Sequence, residues 1–263
     1  MNNSKRLSLL LTNDDGIFAE GLQILAEKLK KVADVYILAP DSNRSAVSSH
    51  IVMHQSLTFK KVAERQWSCS GYPADCVISA LRSDLFKDIC FDAVLSGINR
   101  GPNMGTDCIY SGTIAAARQA VLYGLPGIAF SLKAEDGDYA ETGYDYGALA
   151  DFAADNVEGL ISLYQPDCIV SVNAKSQKDY SAAVLTSLCI RDYEDRIEFE
   201  EVEDGILKST LVSGKLTTTS SSLVSEHRVV DEGKIAVTRL RAEPVDFDGS
   251  LKGNVSFVFG THG

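Results

Sequence analysis

Asp14 and Asp15 stand side by side in the segment Asn13-Asp14-Asp15-Gly16. In a regular strand adjacent side chains point to opposite faces, so two neighbouring carboxylates reach one ion only where the backbone turns, and a glycine at position 16 permits that turn. Carboxylates gathered in a partly desolvated place repel each other, and a divalent cation relieves the repulsion. Taken alone, the four residues also read as an exposed turn with a helix cap. Two further polar segments accompany them: DSNRSAVSSH from Asp41, and SGINRGPNMGTDCIYSGT from Ser96. The latter places glycines 97, 101, 105 and 112 among amide and hydroxyl side chains. Such a loop exposes backbone N–H groups, and a helix beginning near Gly112 presents its positive end to an anion. Many glycine-rich loops only make tight turns, and neither G-x-x-x-x-G-K-[ST] nor a G-x-G-x-x-G after the first strand is present.

The available ligands decide the type of cation. Asp14, Asp15, Ser45 and Asn99 offer only oxygens, which suits magnesium or manganese; zinc or copper would bring His or Cys. His50, His54, His227 and His262 form no metal-binding spacing, and the six cysteines show no C-x-x-C. The cysteines read as reduced thiols with a role in core packing.

The elements that must position these residues follow from hydrophobic periodicity. Leu7 to Leu11 suits a strand buried on both faces, Leu22, Leu25, Ala26 and Leu29 mark a helix from about Glu20 to Lys31, and Val35 to Ala39 is a second buried strand. Strand, helix, strand is a βαβ unit and makes a parallel sheet. An extended stretch is expected over Ile51 to Lys60, a helix over Pro73 to Phe86, a strand over Ala93 to Leu95, a helix over Thr113 to Tyr123 and a strand over Gly127 to Ser131. Leu149, Phe152, Ala153, Asn156, Val157, Leu160 and Ile161 share one face of a further helix before a strand over Cys168 to Val172.

Beyond Ala183 the character changes to short β-prone runs, Ala183 to Leu188, Leu207 to Val212 and Lys234 to Leu240. The expected organisation is a three-layer, Rossmann-like α/β core with a mostly parallel sheet over 1–182. A smaller β-rich extension over 183–263 carries an oligomerisation hairpin and a C-terminal return to the core. A two-stranded hairpin is marginal alone and needs a partner surface, here another subunit. In an open parallel sheet ligands bind beyond the carboxyl ends of the strands, which is where the three polar segments converge.

Composition bounds the function. The 263 residues are 45% hydrophobic and 23% charged, an ordinary globular balance, and the formal charge is −11. That charge argues against binding a nucleic acid polymer, which draws its affinity from clustered Lys and Arg; a small phosphorylated ligand remains open if the pocket is locally positive. The apolar run near the N-terminus is too short for a membrane span or a secretory signal, so a cytoplasmic protein is expected.

The blocks LLLTNDDGIFAEGLQIL, ILAPDSNRSAVSS, GYPADCV and SGINRGPNMGTDCIYSGTIAAARQAVLYGLPGIAFSL resemble, in order and spacing, those of the SurE family of 5'-nucleotidases. The resemblance is detailed to about Leu132 and looser at IVSVNAK and GKIAVTRLRAEP. It departs from the family's usual residues at Ser42, Ala46 and Tyr72, the last beside the expected base or ribose wall.

The resemblance implies a metal-dependent phosphatase that hydrolyses nucleoside 5'-monophosphates, with 3'-monophosphates and short polyphosphate as further substrates. It implies one divalent ion per subunit on Asp14, Asp15, Ser45 and Asn99, phosphate contacts from Asn43, Ser111, Gly112 and Thr113, and a homodimer or homotetramer that exchanges C-terminal elements. Water would attack phosphorus directly, with Asp14 or Asp15 accepting its proton; Ser111 as a covalent nucleophile has no base assigned to activate it. A non-hydrolytic nucleotide-binding protein on the same scaffold is the main alternative. A hydrolase of the haloacid-dehalogenase kind fits poorly, since it separates its two aspartates by one residue.

Overall fold

A computed structural model of the chain describes residues 6–138 and 140–244. The first strand, β1 (Leu7–Thr12), holds three consecutive leucines without exposure, which is how a strand covered on both faces reads. Helix α1 (Glu20–Leu29) buries Leu22, Leu25, Ala26 and Leu29, and β2 (Ala33–Pro40) returns parallel to β1. The rhythm continues through β4 (Gln66–Cys69), α2 (Pro73–Arg82), β5 (Ala93–Arg100), α3 (Gly112–Leu122), β6 (Gly127–Lys133), α4 (Gly147–Ser162) and β7 (Cys168–Lys175).

These strands lie in the order β4-β2-β1-β5-β6-β7, all parallel, within a nine-stranded sheet. Antiparallel β3 (Phe59–Ala63) extends one edge. At the other, β13 (Ile235–Arg241) runs antiparallel to β7 and parallel to β8 (Ala183–Thr186). The pleat distributes the core: Leu9 and Leu11 face the layer of α1 and α4, while Leu10 packs with Cys76, Val77 and Ala116 in the layer of α2 and α3. The result is the expected three-layer α/β architecture.

Several boundaries differ from the sequence expectation. The helix expected over Pro73 to Phe86 stops at Ser83, whose backbone is extended and whose hydroxyl accepts from Leu85 N to start a separate 3-10 turn. The extended stretch expected over Ile51 to Lys60 is irregular until Phe59, where β3 begins. The strand expected to end at Leu95 runs on to Arg100, because a bulge between Ser96 and Asn99 keeps it paired with β6.

The C-terminal part is richer than periodicity suggested. Strands β9 (Ile190–Tyr193) and β12 (Leu216–Thr219) pair with each other, and between them rises an antiparallel hairpin of β10 (Arg196–Glu203) and β11 (Ile206–Val212). A short helix, α5 (Glu226–Asp231), precedes β13. The part of the expected extension beyond residue 244, with His262, falls outside the described residues. Among the described residues, no helix is long and apolar enough to cross a membrane.

Candidate active site

Strand order reverses between β1 and β5, and the loops leaving their carboxyl ends meet there. The first turn is closed by Asn13, whose Nδ2 donates to Gly16 O at 2.9 Å and whose Oδ1 accepts from Gly16 N at 3.2 Å. Gly16 has φ +105°, a conformation that favours glycine, and a Cβ there would stand a tight 3.2 Å from the Ser42 carbonyl carbon. This turn resolves the geometric problem of adjacent aspartates: Asp14 and Asp15 engage different loops.

Asp14 belongs to the side of α2 and α3. Its Oδ1 accepts from the Thr113 hydroxyl, and its backbone carbonyl accepts from Arg44 N at 2.6 Å, which ties the second loop to the first. Gly112 opens α3 directly against it, where a Cβ would lie 2.8 Å from Asp14 Cβ. Asp15 turns to the third loop and accepts from Arg100 N at 3.1 Å. All three polar segments are therefore joined at this aspartate pair.

Electrostatics at the pair are dominated by enclosure. Burial pushes the Asp14 carboxyl above its ordinary range, against the Thr113 hydroxyl and the backbone N–H groups of Thr113 and Gly112, which favour its charged form. The Asp15 carboxyl is pushed up to about 7 by burial and then by the charge of Asp14, with the backbone N–H and guanidinium of Arg100 pulling the other way. The α3 amides proposed from sequence for a phosphate thus already face a carboxylate.

The remaining candidates fall around this centre. Ser45 lies one residue beyond the Arg44 tether; its N–H donates to Asn43 Oδ1 at 2.8 Å, orienting the Asn43 amide. Asn99 is buried beside the Arg100 tether, its Nδ2 donating to Gly101 O at 2.8 Å, so its carbonyl oxygen points away from that bond. Ser111 caps α3, its Oγ accepting from Ile114 N at 3.1 Å, which leaves the hydroxyl hydrogen to donate elsewhere. Among the described residues no three His, Cys, Asp or Glu side chains gather as a metal cluster.

Beside Asp15 opens a cleft of about 450 Å³, lined among others by Asn43, Arg100, Glu141, Tyr144 and Tyr146. The two tyrosine rings stack with centroids 5.9 Å apart, and the Arg100 guanidinium lies 5.6 Å from the Tyr144 centroid. Glu141, Tyr144 and Tyr146 were not singled out from sequence. They follow β6, so the rule that pointed to the loops after β1, β2 and β5 was the available signal.

Comparison with known proteins gives the family. The family model described as survival protein SurE matches residues 9–195. The 5'-nucleotidase SurE of Treponema pallidum is 44% identical over 193 residues, 71% of this chain and the full length of that protein. That of Alkaliphilus metalliredigens is 34% identical over 250 residues, covering 92% of this chain and 93% of its own. The crystal structure of the SurE protein from Aquifex aeolicus superposes with a TM-score of 0.76 at 28% identity, over 91% of this chain and 95% of that one. With a family model matched over residues 9–195 and relatives matched to this extent, the chain belongs to the SurE family.

Proposed function

We propose that the protein is a 5'-nucleotidase, a phosphoric monoester hydrolase that converts nucleoside 5'-monophosphates to nucleoside and phosphate and also accepts 3'-monophosphates and short polyphosphate. The observation that carries this is the junction of three loops at two enclosed carboxylates, directly against the N-terminus of α3. Family membership and the relatives' names support the same activity.

The donor set fits one divalent cation. Asp14 and Asp15 are held in a place where their own negative charge is disfavoured, and Ser45 and Asn99 add neutral oxygens, a hard-donor set suited to magnesium or manganese. We assign the cation to these four residues; when bound it supplies Lewis acidity and neutralises charge on the phosphoryl group.

The chain's own groups do the rest. Thr113 fixes the Asp14 rotamer and Arg100 N fixes Asp15. Asn43 Nδ2 and the Ser111 hydroxyl donate to phosphoryl oxygens at the α3 N-terminus, with Gly112 and Thr113 contributing its amides. Asp15, which faces the open cleft, takes the proton of the attacking water; the Asp14 oxygen bonded to Thr113 is less available. The cleft beside Asp15 falls within the ordinary range for small-ligand pockets, roughly 300–1,000 Å³, and receives the nucleoside.

Hydrolysis of adenosine 5'-monophosphate with magnesium or manganese, assayed before and after chelation, tests this. Phosphate release should need the added ion; release that survives complete chelation overturns the metal assignment, and binding without release makes the protein a nucleotide binder.

The division into a catalytic core over 1–182 and an extension over 183–263 is part of the proposal. On one face the β10–β11 hairpin presents Ile197, Phe199, Leu207 and Leu211, with Phe199 67% exposed. Such a face is covered by a second subunit in a homodimer or homotetramer. Sedimentation of the wild-type chain and of Phe199→Ser should show an oligomer that the substitution weakens; a monomeric wild-type chain rejects it.

A further inference from the structure

We infer that Arg191 is a positioning residue for the phosphate end of the site, a role that rests on the reading of Ser111 to Thr113 given above. Arg191 sits on β9, at the root of the hairpin, with its side chain only 1% exposed. Its Nε lies 3.2 Å from Asp107 Oδ2, and an Nη reaches Asp138 Oδ2. Tyr193, two residues on, donates its hydroxyl to Asp107 Oδ1 at 2.7 Å, and Arg191 N donates to Thr106 Oγ1 at 3.2 Å. Three contacts from one short strand thus grip the 3-10 turn Gly105–Ile109.

The grip is transmitted to the site through backbone. The Asp107 carbonyl accepts from Tyr110 N at 3.0 Å and from Ser111 N at 3.1 Å, which sets where the cap of α3 stands. The same turn is pinned from another side by Glu226 of α5, whose Oε1 accepts from Gly105 N at 2.6 Å. Asp138 is itself held by Lys133 Nζ at 2.8 Å, so the guanidinium is anchored to the main sheet as well as to the loop. A displacement of Arg191 moves Asp107, and with it the hydroxyl and amides that face the phosphate. Removing the grip should therefore weaken phosphate binding without touching any group that contacts phosphate.

The test uses the full chain and three variants, Arg191→Met, Arg191→Lys and Tyr193→Phe, the last leaving the buried ion pair intact. Inorganic phosphate is the probe, measured as a competitive inhibitor of adenosine 5'-monophosphate hydrolysis and by calorimetry, alongside amide hydrogen exchange over residues 105–113. Arg191→Met should weaken phosphate by about tenfold or more, the worth of a charge-assisted hydrogen bond no longer holding the loop. Arg191→Lys should recover part of that, and Tyr193→Phe should lose about two- to tenfold, the worth of one hydrogen bond. Exchange should rise more over 105–113 than in β1, which shifts only with global stability. Unchanged phosphate affinity in folded Arg191→Met or Tyr193→Phe overturns the proposal, as does exchange that rises uniformly through the sheet. Should the wild type neither bind phosphate nor release it from the nucleotide, the functional reading fails separately, and the exchange result still decides whether Arg191 holds the loop.

Discussion

Two groups of enclosed carboxylates border the same glycine-rich loop, and they differ in what stands opposite them. At the sheet's switch point the charge of Asp14 bears on Asp15, while the Arg100 guanidinium is engaged with the Glu141 carbonyl and lies beside Tyr144. Burial pushes both carboxyls up, and at Asp15 the charge of Asp14 adds to it. Some residues further along, Asp138 is also largely enclosed, and burial alone would raise it; Lys133 and Arg191 outweigh that and hold it below its ordinary range. Where the fold needs acidic groups for its own cohesion it supplies the matching cations from its own sequence. Where it leaves them unmatched, a cation from outside is the natural complement.

This contrast can be broken by exchanging what each group loses. Asp14→Asn should reduce turnover of adenosine 5'-monophosphate by roughly 10⁴-fold, about 5.5 kcal/mol in the barrier, while stability to denaturant holds or rises, because the substitution removes a carboxyl whose charged form burial disfavours. Full activity, or a large loss of stability, would erase the distinction. Arg191→Met should do the reverse to the fold: taking the guanidinium from the enclosed Asp107 and Asp138, which keep only Tyr193 and Lys133, costs about 3 kcal/mol, read from urea unfolding. A loss below about 1 kcal/mol would mean that the network is as dispensable as a surface pair.

Acid titration sharpens the comparison further. The depressed Asp138 carboxyl contributes stability that is present above its unfolded value, near 3.8, and is lost as pH falls through the lower folded value. Wild-type unfolding free energy should therefore drop below about pH 4 more steeply than that of Asp138→Asn, and parallel curves would refute the ion-pair account. The smallest effect belongs to Asp231, the 56% exposed partner of Lys133 at 2.6 Å. Asp231→Asn should cost under about 1 kcal/mol in the same unfolding assay, because solvent screens the pair; a larger loss would place it with the enclosed members.

Much of this was legible in the chain. Buried strands announced themselves as apolar runs at Leu7 and Val35, and turn glycines marked the sheet's loops, so the core followed from periodicity. The network around Arg191 was invisible because its members come from β6, the loop after β5, β9 and α5. Pairing across such separations leaves no local pattern. Strand β10 was missed for a different reason: RIEFEEVE is so acidic that it reads as solvated chain, and only its pairing with β11 reveals alternate apolar residues on one face. Helix α2 was overextended because nothing in LRSDLF breaks helical periodicity, and the competing hydroxyl of Ser83 instead accepts from Leu85 N.

The contact between Gly112 and Asp14 has a consequence for the order of arrival at the site. With 2.8 Å between an added Cβ and Asp14 Cβ, the carboxylate rests on the end of α3, sharing the same positive pole that an incoming phosphate seeks. Two anions cannot both enjoy that pole without a third charge between them. On the proposed cation assignment, nucleotide loading should therefore follow cation loading, and the ion should be the last to leave.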